Sequence, residues 1–207
     1  QWQRCHALLE WCNSFGIQQG ALVLVAVQNE LEQAALLTGL ISIGRAPVLI
    51  DLDGTLSEVQ SILKDVDYSG IIAELAFIQK WQLDVSSTPW LKVVAIKKQG
   101  TVFGRLLSKK KEDEDVTTWP AMAENKPETP ILETSSDGLA YLIFTSGTTS
   151  KPKGVLISRG ALKSQLEVLQ HEFSIDSNSR LLNVLPMYHA DGFVQGPVSA
   201  WAAGATL

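Results

Sequence analysis

The apolar run Ala21-Leu22-Val23-Leu24-Val25-Ala26-Val27 restricts the fold of this chain more than any other stretch. It is too short for a buried helix and rich in branched side chains, so it predicts a strand covered on both faces. A helical pattern follows. Asn29 stands as its N-cap, Leu31, Ala34, Ala35, Leu36, Leu40 and Ile41 recur at helical spacing, and Gly44 closes it. A second apolar strand, Pro47-Val48-Leu49-Ile50, comes next. Strand, helix and strand in that order imply parallel neighbours joined by a right-handed crossover.

The rest of the chain extends this rhythm. Ahead of the first strand, Trp2, Cys5, Leu8, Leu9, Cys12 and Phe15 mark a helix that Gly16 stops. After the second strand, Ser57 with Gln60 reads as a capping box opening a helix with Ile62, Leu63 and Val66 on its inner face. Short strands are expected at residues 71–73, 93–96, 139–144, 154–157 and 181–185. Residues 161–173 predict a helix with Leu162, Leu166, Val168, Leu169 and Phe173 facing inward, and residues 192–203 predict another. The expected class is α/β, with largely parallel sheets flanked by helices. Residues 97–137 hold the charge run Lys109-Lys110-Lys111-Glu112-Asp113-Glu114-Asp115 and three prolines, which reads as an irregular surface connection within one domain.

Composition excludes several function classes. With 45% hydrophobic residues and a formal charge of −5 among 207 residues, the chain is too apolar for general disorder and too acidic for a basic nucleic-acid face. No apolar run reaches the ~18 residues of a membrane span. Cys5 and Cys12 are seven apart on one helix face, too distant for a disulfide within a regular helix. They read as core thiols of a reducing compartment such as the cytoplasm. The start at Gln1 without Met, and an end just after Gly204-Ala205-Thr206, give the expectation of a piece cut from a longer protein.

The most informative chemistry lies in Thr145-Ser146-Gly147-Thr148-Thr149-Ser150-Lys151-Pro152-Lys153-Gly154, between two expected strands. Hydroxyls donate to phosphoryl oxygens, glycines admit backbone N–H groups, and lysine supplies charge. Pro152 stands where a Walker loop needs its second glycine, and no G-x-G-x-x-G is present, so neither pattern fits.

Tyr141-Leu142-Ile143-Phe144-Thr145-Ser146-Gly147-Thr148-Thr149 followed by Pro152-Lys153-Gly154-Val155 resembles the phosphate-binding signature of adenylate-forming enzymes. Leu185-Pro186-Met187-Tyr188-His189-Ala190-Asp191-Gly192-Phe193 is similar to a second segment of that superfamily in its acyl- and aryl-CoA ligase form. The resemblance implies part of the large N-terminal domain of such an enzyme, over residues 1–207. It implies a ligase that activates a small-molecule carboxylic acid with ATP and Mg2+ to an acyl-adenylate. A thioester then forms with coenzyme A or a carrier-protein pantetheine. By resemblance, Thr145, Ser146, Gly147, Thr148, Thr149, Ser150, Lys153 and Gly154 bind the nucleotide phosphates, and Thr145 touches Mg2+. His189 and Lys153 are the implied catalytic groups, and Tyr188, His189, Gly192 and Phe193 the implied acid-binding ones. The family's later segments are absent from these 207 residues, so the expectation is that they cannot complete adenylation alone.

Two departures and one rival motif stand beside this reading. Ser150 replaces a usual glycine, at a cost of about 1 kcal/mol if φ is positive there, and Arg159 replaces a frequent His. Ser150 and the truncation motivate a non-catalytic module that only binds ligand or partner as an alternative. Asp51-Leu52-Asp53-Gly54-Thr55 after a strand resembles the first motif of haloacid-dehalogenase-like phosphatases, with Asp51 as nucleophile and Asp53 as acid/base. That family also needs a later acidic pair for Mg2+, which nothing after Lys163 supplies.

Overall fold

The structure is a computed structural model, and it describes residues 2–83, 92–96, 137–145 and 152–207. Helix α1 (Trp2–Ser14) precedes strand β1 (Leu22–Ala26), helix α2 (Glu30–Ser42) and strand β2 (Ala46–Leu49). Helix α3 (Leu56–Asp65), strand β3 (Tyr68–Glu74), helix α4 (Leu75–Lys80) and strand β4 (Lys92–Ile96) follow. Strands β5 (Leu139–Thr145) and β6 (Lys153–Ser158) lead into helix α5 (Arg159–Glu172). A wide helical segment, Asp191–Val198, runs into helix α6 (Ser199–Ala203). The expected connection at 97–137 lies, up to residue 136, outside the described residues.

The strands form one six-stranded sheet in the order β4-β3-β1-β2-β5-β6. Five are parallel, and β6 runs antiparallel along β5. The α/β class with a largely parallel sheet is what the strand–helix rhythm requires. Side chains alternate across the sheet with the period of two that a strand imposes. Val23, Val25 and Val27 enter one core with α1, α2, α5 and the Asp191–Val198 segment. Leu24 and Ala26 enter the other core with α3 and α4. Cover on both faces explains why residues 21–27 carry no polar alternation. The same holds for α2, wedged between α1 and the sheet: every residue from Gln33 to Leu40 is buried. Cys5 and Cys12 both lie in the α1 core as free thiols. Burial pushes the Cys12 thiol up to about 12, against a smaller opposing pull from Arg45.

Several elements depart from expectation for identifiable reasons. The capping box of α3 is Thr55 with Glu58, not Ser57 with Gln60. The Glu58 carboxylate accepts from both Thr55 N–H (2.9 Å) and its hydroxyl (2.6 Å), and these bonds hold Glu58 below the usual carboxylate range. Residues 181–185 are not a sheet strand. A single parallel bridge, Arg180 with Thr206, stands just before them, and Leu182 and Val184 are 88% and 79% exposed. An apolar run makes a strand only where a partner edge is available. On α5, Leu162 is buried and Leu166 and Leu169 pack on the core, whereas Val168 and Phe173 are 59% and 67% exposed. The helix at 192–203 begins at Asp191 and breaks at Gly196 (φ −86°, ψ −105°), ahead of Pro197. None of the described helices is long and apolar enough to cross a membrane.

Candidate functional site

The carboxyl ends of β1, β2, β3 and β5 all open on the same side of the sheet, where open α/β sheets bind ligands. At the end of β5 the chain reaches Thr145, and it returns through Pro152 into β6. The antiparallel register sets Thr145 opposite Lys153 and Phe144 opposite Gly154. Thr145 Oγ1 donates to the Lys153 carbonyl at 3.5 Å, which closes the two described ends of the signature on each other. Ser146, Gly147, Thr148, Thr149 and Ser150 lie outside the described residues. Thr145 and Lys153 are both exposed, and the Lys153 ammonium makes no ion pair among the described residues. Gly154 faces the Phe144 ring, whose edge would lie 3.3 Å from a Cβ there.

The second segment is held by a compact turn. His189 N–H donates to the Pro186 carbonyl (3.1 Å), and Phe193 N–H to the His189 carbonyl (2.9 Å). Gly192 is sterically required. A Cβ there would run into the Pro186 carbonyl oxygen and lie 2.7 Å from that of Leu185. Asn183 Nδ2 donates to the Gly192 carbonyl at 3.0 Å, while its side chain lies where a Cβ on Gly196 would fall, 2.7 Å from Asn183 Cγ. The rings of Tyr188 and His189 lie 4.4 Å apart, and His189 is exposed. Phe193 is fully buried, edge-on to Tyr141 at 5.4 Å.

These pieces meet at a cavity of about 620 Å³ lined by Thr145, Pro152, Tyr188, His189, Asp191 and Asp51, among others. The structure thus brings Thr145, Tyr188 and His189 together. Gly192 and Phe193 do not line it; Gly192 permits the turn and Phe193 packs the core. A second cavity, of about 630 Å³, opens beside it past Gln28, Lys80 and Asn183. Asp51 and Tyr188 line both and form the shared wall. Desolvation, then the charges of Asp51 and Asp53, push the Tyr188 phenol up.

Two site residues escaped the sequence reading in these roles. Asp51 was visible only as half of a rival motif. Asn183 was signalled by one amide inside an apolar run. Around Asp51 the rival motif is a local turn. Asp51 Oδ1 accepts Asp53 N–H at 2.9 Å, Gly54 follows, and Thr55 caps α3. Among the described residues, no group of three or more His, Cys, Asp or Glu side chains could hold a metal ion. A protein-only Mg2+ cage is therefore not built there. An exposed threonine hydroxyl does suit Mg2+ that is shared with nucleotide phosphates. The Arg159 departure has a structural use: its guanidinium donates to the Ile41 carbonyl (2.7 Å) and the Leu139 carbonyl (3.3 Å), fastening α5 to α2 and β5.

Comparison with known proteins adds the wider frame. The profile of the AMP-binding enzyme family matches residues 2–207. Indoleacetate–CoA ligase of Aromatoleum aromaticum is 40% identical over 83 residues, 39% of this chain and 14% of that protein. Gramicidin S synthase 2 of Brevibacillus brevis is 26% identical over 191 residues, 92% of this chain and 4% of that protein. The crystal structure of the anthranilate CoA ligase AuaEII in complex with anthranoyl-AMP superposes with a TM-score of 0.79 at 17% identity, over 99% of this chain and 38% of that one. The chain thus spans well under half the length of each.

Proposed function

Because the chain belongs to the AMP-binding enzyme family, we propose that it is one part of the adenylation domain of an ATP-dependent acid–thiol ligase. The proposed substrate is a small-molecule carboxylic acid. Its carboxylate oxygen attacks the α-phosphorus of ATP, the bond to the β-phosphate oxygen breaks, and pyrophosphate leaves. The acyl-adenylate then exchanges AMP for a thiol. The observation that carries this reading is the convergence of Thr145 and Pro152, at the mouth of the β5–β6 hairpin, with Tyr188 and His189 on one cavity at the carboxyl edge of a parallel sheet.

The chain's own residues have distinct tasks in this reading. The Lys153 ammonium neutralises charge on the β- and γ-phosphates, where transfer depends on alignment and electrostatics more than on covalent help. The Thr145 hydroxyl, with Ser146, Gly147, Thr148, Thr149, Ser150 and Gly154 of the signature, holds the same phosphates. Thr145 also fits Mg2+, which when bound supplies charge neutralisation at the triphosphate. His189 orients the acid carboxylate toward the α-phosphorus, and Tyr188 walls the acid's side. Met187-Tyr188-His189 favours coenzyme A over a carrier-protein pantetheine as the thiol source. Free, buried Cys5 and Cys12 agree with a reducing compartment such as the cytoplasm.

The test is acid-dependent ATP–pyrophosphate exchange by the full-length protein over a panel of aryl and alkyl acids. Exchange with at least one acid, lost in Lys153→Ala, is the expected result. Acid-independent phosphate release that disappears in Asp51→Asn would replace this reading with the phosphatase one.

A further inference from the structure

The adenylation reading leaves one motif without a task. In Asp51-Leu52-Asp53-Gly54-Thr55, Asp53 and Gly54 make the turn and Thr55 caps α3. Asp51 is different. It sits half-buried just past the carboxyl end of β2, whose parallel register with β5 pairs Val48 with Leu142 and Leu49 with Ile143. Asp51 follows two residues after the last paired position of β2, and Thr145 ends β5 two residues after its partner Ile143. Adjacent parallel strands lie about 4.8 Å apart, and residues two apart share a face. Leu49 belongs to one core and Ile143 packs against the same core. Asp51 and Thr145 both line the cavity that holds His189 and Tyr188.

One oxygen of the Asp51 carboxylate is engaged in the local turn and the other is not. Oδ1 is occupied by the Asp53 N–H. Oδ2 has no partner among the described residues, and no Lys or Arg there forms an ion pair with Asp51. Lys80, which shares the second cavity, donates instead to the Leu52 carbonyl at 2.7 Å. A carboxylate beside a triphosphate repels it unless a cation lies between them. Mg2+ is usually bound through one or two protein oxygens together with substrate phosphates and water.

We propose that Asp51 supplies a carboxylate oxygen, across from the Thr145 hydroxyl, to the divalent cation that accompanies the bound nucleotide. This rests on the adenylation reading. It gives the cation site a residue from the turn after β2, about a hundred positions upstream of the phosphate signature.

Electron paramagnetic resonance of free Mn2+ tests it on the full-length protein, titrated with and without a non-hydrolysable ATP analogue. Asp51→Asn is the informative variant, because an asparagine oxygen still accepts the Asp53 N–H and preserves the turn. Mn2+ affinity in the analogue complex should fall about tenfold in Asp51→Asn and stay within about twofold in Asp53→Asn. Metal-free analogue binding should be no weaker in Asp51→Asn than in the parent. Mn2+ affinity unchanged in Asp51→Asn with analogue bound would overturn the proposal while leaving adenylation intact. A parent protein that does not bind the analogue refutes the adenylation reading, and this inference with it.

Discussion

Replacing Gly192 by alanine should destabilise the protein far more than a one-carbon change ordinarily does. The added Cβ would collide with the Pro186 carbonyl oxygen and lie 2.7 Å from the Leu185 carbonyl oxygen and 2.8 Å from the Pro186 carbonyl carbon. All three are backbone atoms, so no side-chain rotation relieves the overlap. Forced overpacking of this kind costs about 3 kcal/mol at the upper end. Moving the turn also weakens the Asn183 Nδ2 bond to the Gly192 carbonyl, worth about 1 kcal/mol. The better helix propensity of alanine returns about 1 kcal/mol. The net expectation is a loss of about 3 kcal/mol, roughly 150-fold in the folding constant and 6–12 °C in Tm for a chain of this size. Urea unfolding followed by tryptophan fluorescence measures it as a fall in midpoint at constant m value. Gly39→Ala is the control. Its Cβ meets only the Leu8 and Cys5 side chains, at 3.3 and 3.6 Å, and it gains helix propensity inside α2, so it should stay within about 1 kcal/mol. A Gly192→Ala protein within about 0.5 kcal/mol of its parent would refute the steric account of this turn.

Four further outcomes follow from particular contacts. The exposed Lys153 should matter to catalysis alone: Lys153→Ala should lower ATP–pyrophosphate exchange about 100-fold or more and leave the unfolding midpoint unchanged. Thr55→Ala should lose about 1 kcal/mol in denaturant unfolding, and Thr55→Ser should recover most of it, because the cap bond needs only a hydroxyl oxygen. Arg45 is buried and donates to the Ile17 and Ile43 carbonyls and to Asn13 Oδ1, so Arg45→Met should cost about 2–3 kcal/mol by orphaning those acceptors. Arg45→Lys should rescue little of this, since an ammonium cannot reproduce the guanidinium fork. The folded Cys12 thiol, pushed up to about 12, keeps its proton above pH 9 while the unfolded chain releases it. Stability therefore falls as pH rises through that window, with no contribution below it. Between about pH 8 and 10 the parent should lose about 1 kcal/mol more than Cys12→Ala, read from paired unfolding midpoints.

Residues 21–27 and the Asn29 cap were legible because their signals are local. A strand buried on both faces has to be continuously apolar, and Asn29 accepts the Glu32 N–H whatever packs above it. Residues 181–185 carry similar composition yet form no sheet strand, because pairing belongs to two segments and their neighbour here supplies one bridge. The α3 cap moved by two positions because Thr55, Ser57, Glu58 and Gln60 offer overlapping capping patterns, and only the realised bonds choose between them. Helix α4 went unread since it follows β3 directly, and the Glu74 side chain at its N-cap accepts the Gln28 N–H (3.1 Å) instead of capping the helix.

The α/β class, the resemblance to a phosphate-binding signature and the core positions of the two cysteines were all readable along the chain. Each rests on periodicity or on residue types close together in the chain. Tertiary structure decided which distant residues share a cavity. Thr145 meets Tyr188 and His189 because β5 ends at the sheet edge where the 186–193 turn lies. It also decided that Phe193 packs against Tyr141 while Asp51 faces the cavity. Strand order and register set these neighbours, and both depend on which edges pair, a choice made by the whole sheet at once.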